Sequence, residues 1–425
     1  MKSSLNKVFA SVGSLKLISL GLGFLTSMVV ARWLGPENYG HYVFLTSVMS
    51  VMALPLYGGM PALLVREIVK IRIEKNWALL HGLKKRVSQA IILGSSIIFI
   101  LLISFFIVDA EFGTKSADYL LLVAFPLAPL MALNGTRSAM LRGFNKIFYS
   151  QVPDQIIKPF AHLSVLSFLA FTGLMTVTWA LTSLIFATLT AFIFGSLVLK
   201  TQMESVPTVA LKKYETLVWL KSLMPFTAIA AIYTINNQAA ILFLGWLSEP
   251  SEVGFFRIAD RMGQIIVLAL TVANIISGPQ IAKFAKMKNY CGIEKTARHS
   301  VRLALAIASP VIIIYYFFGE ALIKLAFGSE YEGSVWILLM IIAVGQFVNV
   351  FFGSVGNVLN MTGNERFSLV GMILGLVTNV VLAVILIPKY HAIGAALACS
   401  AGIIVWNITL AVFVKRQLNI RTLAF

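Results

Sequence analysis

Charge is what this chain lacks. Of its 425 residues only 12% are Asp, Glu, Lys or Arg, and 59% are hydrophobic. A soluble globular chain carries about 25% charged and about 45–50% apolar residues. The shortage falls on one sign, with 17 acidic against 34 basic residues. Cysteine is scarcer still. Cys291 and Cys399 are the only two, which argues against a disulfide framework and against a cysteine metal site. No Walker A sequence occurs, so ATP hydrolysis by this chain is excluded, and HExxH, CxxC and GxSxG are missing too.

What is there instead is long apolar sequence, with a mean hydropathy of +0.88. About twelve runs have the length a bilayer core requires: residues 8–31, 42–59, 87–108, 119–140, 152–171, 177–199, 217–247, 253–278, 301–318, 335–359, 367–388 and 393–414. The first run is too long for the apolar core of a signal peptide, and no small-residue cleavage site follows it.

The gaps alternate in character. One set is basic: Lys2 and Lys7; Arg66, Lys70, Arg72, Lys75, Lys84, Lys85 and Arg86; Arg142 and Lys146; Lys200, Lys212 and Lys213; Lys283, Lys286, Lys288, Lys295 and Arg298; Arg366; Lys415, Arg416 and Arg421. The other is short and acidic or neutral: Glu37; Asp109, Glu111 and Asp118; the Thr172–Gly173 turn; Glu249 and Glu252; Glu330 and Glu332; the Lys389–His391 turn. Basic loops stay in the cytoplasm, so an even number of spans and two cytoplasmic termini are expected. The net charge of +17 then faces anionic phospholipid headgroups rather than nucleic acid.

The halves echo each other. WLGPENYGHY joins the first two runs and LSEPSEVGFF joins the seventh and eighth, so that Pro36 aligns with Pro250, Gly40 with Gly254 and Tyr42 with Phe256. RGFNKIF and TGNERF give a weaker second echo. Six spans per half make these parallel repeats. The expected organisation is an all-α polytopic membrane protein: an N-lobe over 1–200, a cytoplasmic linker over 201–216 and a C-lobe over 217–425.

ARWLGPENYGHY followed by GGMPALLVREIVK, PFTAIAAIYTINNQAAILFLGWLSEPSEVGFFRIADRM, and GNVLNMTGNERFSLVGMILGLVTNVVLAVILIPKYHAIGAALA occur in that order. In this they resemble the Wzx-type oligosaccharide (O-antigen or polysaccharide) flippase family over nearly the whole chain. That family belongs to the multidrug/oligosaccharidyl-lipid/polysaccharide exporter superfamily. The resemblance implies two six-helix lobes around a central cavity. It also implies movement of an undecaprenyl-pyrophosphate-linked oligosaccharide from the inner to the outer leaflet of a bacterial cytoplasmic membrane. Many members of the family carry an acidic residue in the seventh span, where this chain has Asn236, Asn237 and Gln238.

Charges left inside apolar runs are functional candidates. Arg257, Asp260 and Arg261 stand at i, i+3 and i+4, on one helical face. They read either as an anion-binding face steadied by a carboxylate or as a buried structural pair. Arg32, Arg66, Arg137 and Lys158 could grip phosphate or snorkel to headgroups. Lys16 lies deeper in the first run. Glu67 and Asp154 are candidates for charge pairing or for proton or sodium coupling, and each has a basic neighbour. His162 reads as a relay or as packing. Asn236, Asn237, Gln238, Asn274, Asn349, Asn357, Asn360 and Asn379 line a sugar-compatible path or join helices. Gly371 and Gly375, and Gly394, Ala398 and Gly402, form small faces for close packing.

The leading expectation is thus a flippase without a cofactor, driven by proton or sodium coupling or by the membrane potential, with glycan polymerase machinery as a partner. A cation exporter of the same superfamily is the alternative. A membrane-embedded glycan polymerase or ligase fits less well, since the outer gaps are short.

Overall fold

The computed structural model describes the backbone of residues 2–112, 119–204, 206–207 and 211–420, and side chains from 13 onward except 108–118, 205, 208–210 and 421–425. The side chains of Lys2, Lys7, Asp109, Glu111, Asp118 and Arg421, used above to orient the gaps, lie outside the described residues.

The protein is all-α, with no strand among the described residues. Nine helical stretches there are long and apolar enough to cross a membrane. Two are long enough for two crossings of about 20 residues each, and both are broken. The first, Lys2–Met52, turns at Gly35 (φ 73°, ψ 171°), a conformation open to glycine because it has no Cβ. The last, Glu365–Leu418, turns at His391 (φ 48°, ψ −127°). Ser248 Oγ and His391 Nδ1 share a 2.9 Å hydrogen bond there, and Glu252 Oε2 accepts from the Ala392 N–H at 2.9 Å. The Glu252 contact satisfies a backbone N–H that the break releases from the helical ladder. The expected fifth run is assembled from Ile147–Val152, a π-helical turn at Pro153–Ile157, and Lys158–Phe171.

Several basic residues expected in loops sit on helices instead. Arg66, Lys70 and Arg72 belong to Met60–Glu74, whose Leu64, Ile68 and Ile71 are fully buried. Lys295 and Arg298 lie near the start of Tyr290–Phe327, where Asn289 Oδ1 accepts from the Gly292 N–H at 2.9 Å. The apolar period of these segments continues past the bilayer-length run, so the helices continue with it.

The chain forms two compact units. The first comprises 1–33 and 45–235, and the second 34–44 and 236–425. The helix Thr216–Leu247 contributes to both units. The start of Thr216–Leu247 packs within the first unit, where Thr227 Oγ1 donates to the Gly58 carbonyl at 2.7 Å. Its end packs within the second, where a Cβ on Gly245 would lie 2.0 Å from the Phe44 ring.

Each unit has a dense apolar core beside its basic residues. In the first, Leu64, Ile68, Leu80, Leu83, Leu141 and Trp219 pack together. In the second, Ile281, Ile293, Val355, Leu359 and Leu410 do so. Ile92, Leu93, Ile97, Ile100 and Leu101 are exposed, as expected for side chains whose solvent is lipid.

Candidate functional site

The intramembrane charges gather in two places, one in each unit. In the second unit the helix Pro250–Lys286 begins with Pro250 at its first turn, where the missing N–H costs nothing. Its regular pitch then presents Arg257, Asp260 and Arg261 together. Arg257 Nη1 donates to Asp260 Oδ2 at 3.4 Å, and Gln264 Nε2 donates to the same oxygen at 3.0 Å. Asp260 is therefore held from both directions along its own helix. Arg261 has electrostatic contact with Arg257, Tyr39, Asp260 and Tyr42, and its Nε is buried without a hydrogen-bond partner. One carboxylate thus faces two guanidinium groups. An unpaired charged donor in a low-dielectric setting is expensive, and an anion would satisfy it.

Aromatic residues wall this cluster. Tyr39 and Tyr42 are buried on the segment 34–44, with ring centroids 6.5 Å apart. Tyr331 packs edge-on against Phe255 and Phe327. Burial, with Tyr39 and Glu330 nearby, holds the Tyr331 hydroxyl well above the usual tyrosine range, so it stays a neutral donor. The i, i+3, i+4 spacing marks the charged face, but it gives no sign of Tyr39 and Tyr42, which come from a segment more than two hundred residues away.

In the first unit the cluster is Arg137, Asp154 and Lys158. Arg137 is 3% exposed. Its Nη1 donates to the Ala191 carbonyl at 2.7 Å and its Nη2 to Asp154 Oδ2 at 3.0 Å, while Nε has no partner. Gly195 leaves it room: a Cβ there would lie 1.4 Å from Nη1. Asp154 stands on the π-helical turn, a feature frequent at functional sites. Lys158 and Arg142 also interact electrostatically with Asp154. His162 is 4% exposed and its Nε2 has no hydrogen-bond partner.

The remaining candidates are scattered. Glu67 is buried and pairs with its neighbour Arg66 at 2.8 Å, and Arg66 also stacks over Phe226 at 5.4 Å. Lys16 and Arg32 are exposed. Asn236 and Gln238 are half-buried and Asn237 is exposed. Asn274 Oδ1 accepts from Ser354 Oγ at 2.5 Å, and its backbone carbonyl accepts from Asn357 Nδ2 at 3.3 Å. Asn407 Nδ2 donates to Asn349 Oδ1 at 3.1 Å. These amides join helices around the break at Gly353 (φ 69°). No group of three His, Cys, Asp or Glu residues among those described is placed to hold a metal ion.

Comparison with known proteins agrees with this architecture. Residues 225–385 match the MatE family model. Capsular polysaccharide biosynthesis protein CapF of Staphylococcus aureus is 28% identical over 196 residues, 45% of this chain and 48% of that one, so the match spans about half of that relative. A putative O-antigen transporter of Shigella flexneri is 23% identical over 90% of each chain. Among solved structures, the lipid II flippase MurJ in an inward closed conformation superposes with a TM-score of 0.74 at 16% identity, over 96% of this chain and 87% of that one. This shows a shared fold. The model described as "Polysaccharide biosynthesis protein" matches residues 5–284, more than half of the sequence, and the chain belongs to that family.

Proposed function

We propose that the protein is a flippase. It moves an undecaprenyl-pyrophosphate-linked oligosaccharide from the inner to the outer leaflet of a bacterial cytoplasmic membrane by alternating access. One observation carries this reading: in the second unit two arginines stand against one carboxylate, and Arg261 keeps a buried N–H without a partner. Guanidinium groups grip phosphate oxygens through parallel hydrogen bonds, and could replace the water that a pyrophosphate loses on leaving the cytoplasm. Arg137, Lys158, Lys16, Arg32 and Arg66 are secondary candidates for the same anion. Asn236, Asn237, Gln238 and Asn274 are suited to sugar hydroxyls.

Such transport needs no nucleotide. A potential that is negative inside favours outward movement of an anion by about 2.3 kcal/mol per charge per 100 mV, and proton or sodium coupling would add to it. Both termini lie in the cytoplasm in this reading, and glycan polymerase machinery receives the product.

The MatE match favours a second reading, a multidrug or cation exporter. A cation calls for surplus carboxylate, whereas both charge clusters here carry surplus guanidinium or ammonium. The test is export in a strain lacking the gene. Arg257→Ala and Arg261→Ala should reach the membrane at normal levels yet leave the lipid-linked glycan on the cytoplasmic face. Wild-type export by both variants would overturn the site.

A further inference from the structure

A cavity in the first unit lies apart from both charge clusters. It measures about 310 Å³ and is walled by Met60, Leu63, Leu83, Val87, Trp219 and Leu223. That places it at the small end of the range of ligand sites, about 300–1,000 Å³. Its only charged lining residue is Arg86, accompanied by the polar Gln89 and Thr216.

Arg86 is held in place. Its guanidinium sits 4.8 Å from the Tyr214 ring centroid, and Nη1 donates to Gln89 Oε1 at 3.3 Å. Tyr214 is in turn fixed by its chain neighbour, since the Lys213 N–H donates to the Ala78 carbonyl at 3.1 Å. Gly82 allows this approach: a Cβ there would lie 1.8 Å from the Lys213 carbonyl oxygen. Exposed Lys84 and Lys85 precede Arg86 in the chain, exposed Lys212 and Lys213 precede the Tyr214 that stacks on it, and exposed Glu215 follows that tyrosine.

We infer that this cavity binds one acyl chain of an anionic phospholipid, whose phosphate rests on Arg86. The lining excludes a sugar or a free phosphate, whose polar groups would go unpaired against it. The walls come from candidate membrane spans, at the end that carries the basic gap over 66–86, so the cavity lies where acyl chain and headgroup meet. A positive rim beside an apolar pocket complements an anionic lipid and gives a zwitterionic one no advantage. A polyprenyl carrier tail is branched and much longer than a space of this size accepts.

The full-length protein, purified and examined by native mass spectrometry with phosphatidylglycerol or phosphatidylcholine, tests this. Wild type should retain phosphatidylglycerol preferentially. Arg86→Gln should bind it roughly fivefold more weakly, the effect of one basic residue at an anionic surface. Ala90→Trp, which fills the cavity from an exposed position, should abolish retention of that lipid without lowering the melting temperature of the delipidated protein. Leu93→Trp replaces it if Ala90→Trp does not fold. Equal retention of the two lipids by wild type would overturn the inference, as would unchanged retention in the filled variants. Displacement of phosphatidylglycerol by undecaprenyl phosphate from wild type alone would reassign the cavity to the carrier. None of these readouts depends on the arginines of the second unit.

Discussion

Gly40 and Gly254 stand at equivalent positions of the internal repeat, and they meet each other. A Cβ on Gly40 would lie 1.6 Å from the Pro250 carbonyl oxygen, and one on Gly254 would lie 2.6 Å from the Pro36 carbonyl oxygen. Each glycine thus faces the proline that opens the other copy of the motif. The contact brings Tyr39 and Tyr42 within electrostatic range of Arg261. The repeat, seen in sequence as a resemblance, is in the folded chain an interface.

Because backbone atoms form this contact, neither side can give way cheaply. Gly40→Ala should be the more damaging change, by at least the roughly 1–3 kcal/mol typical of overpacking, and Gly254→Ala the milder one. Gly21→Ala, where nothing lies within 4 Å of the added methyl, is the control. Melting temperatures of the purified variants, measured in one detergent, check the order.

Arg137 should behave as a structural cation. Its removal takes from Asp154 its hydrogen-bonded partner, leaving Lys158 and Arg142 in electrostatic range, and losing one partner of a buried pair costs about 3–5 kcal/mol. Partial exposure of the Asp154 side chain, at 34%, puts the expectation at the low end. Lysine cannot serve both acceptors in place of the fork, so Arg137→Lys should rescue poorly. Lys70→Ala, at an exposed position on the same unit, should leave the yield of folded protein unchanged. An abundant, well-folded Arg137→Ala without transport would assign Arg137 to the substrate instead.

Asp260→Asn should lower the amount of folded protein, because Arg257 then lacks its counter-charge. Arg257→Gln in the same chain should restore it. The measure is the monodisperse fraction on size-exclusion chromatography. Normal abundance of Asp260→Asn together with lost transport would show that the carboxylate carries a coupling proton.

Orientation is tested at Cys291, which is exposed. In a background lacking Cys399, a membrane-impermeant thiol reagent should label it only after the cells are permeabilised. Labelling of intact cells would invert the topology.

Much of this was legible without coordinates. The apolar runs identified a membrane protein built of helices, and the spacing of Arg257, Asp260 and Arg261 identified a single charged face, since both signals depend on nearest neighbours along a helix. The walls of that face were not legible. Nothing local to Tyr39 announces Arg261, and nothing local to Arg137 announces Ala191 or the space left by Gly195. The π-helical turn under Asp154 was equally hidden, as was the docking of Tyr214 over Arg86.

Transfer into lipid is scored segment by segment, so composition and period sufficed to determine helical class, membrane residence and the scarcity of internal charge. Whether a given charge is satisfied depends on groups brought together from distant parts of the chain. Only the tertiary structure could therefore decide that the two Nη atoms of Arg137 meet a carbonyl and a carboxylate from other helices, while Arg261 has Arg257, Asp260, Tyr39 and Tyr42 around it. That difference in what distant helices bring to each guanidinium is the physical basis for proposing Arg137 as a structural cation and Arg261 as a ligand-binding one.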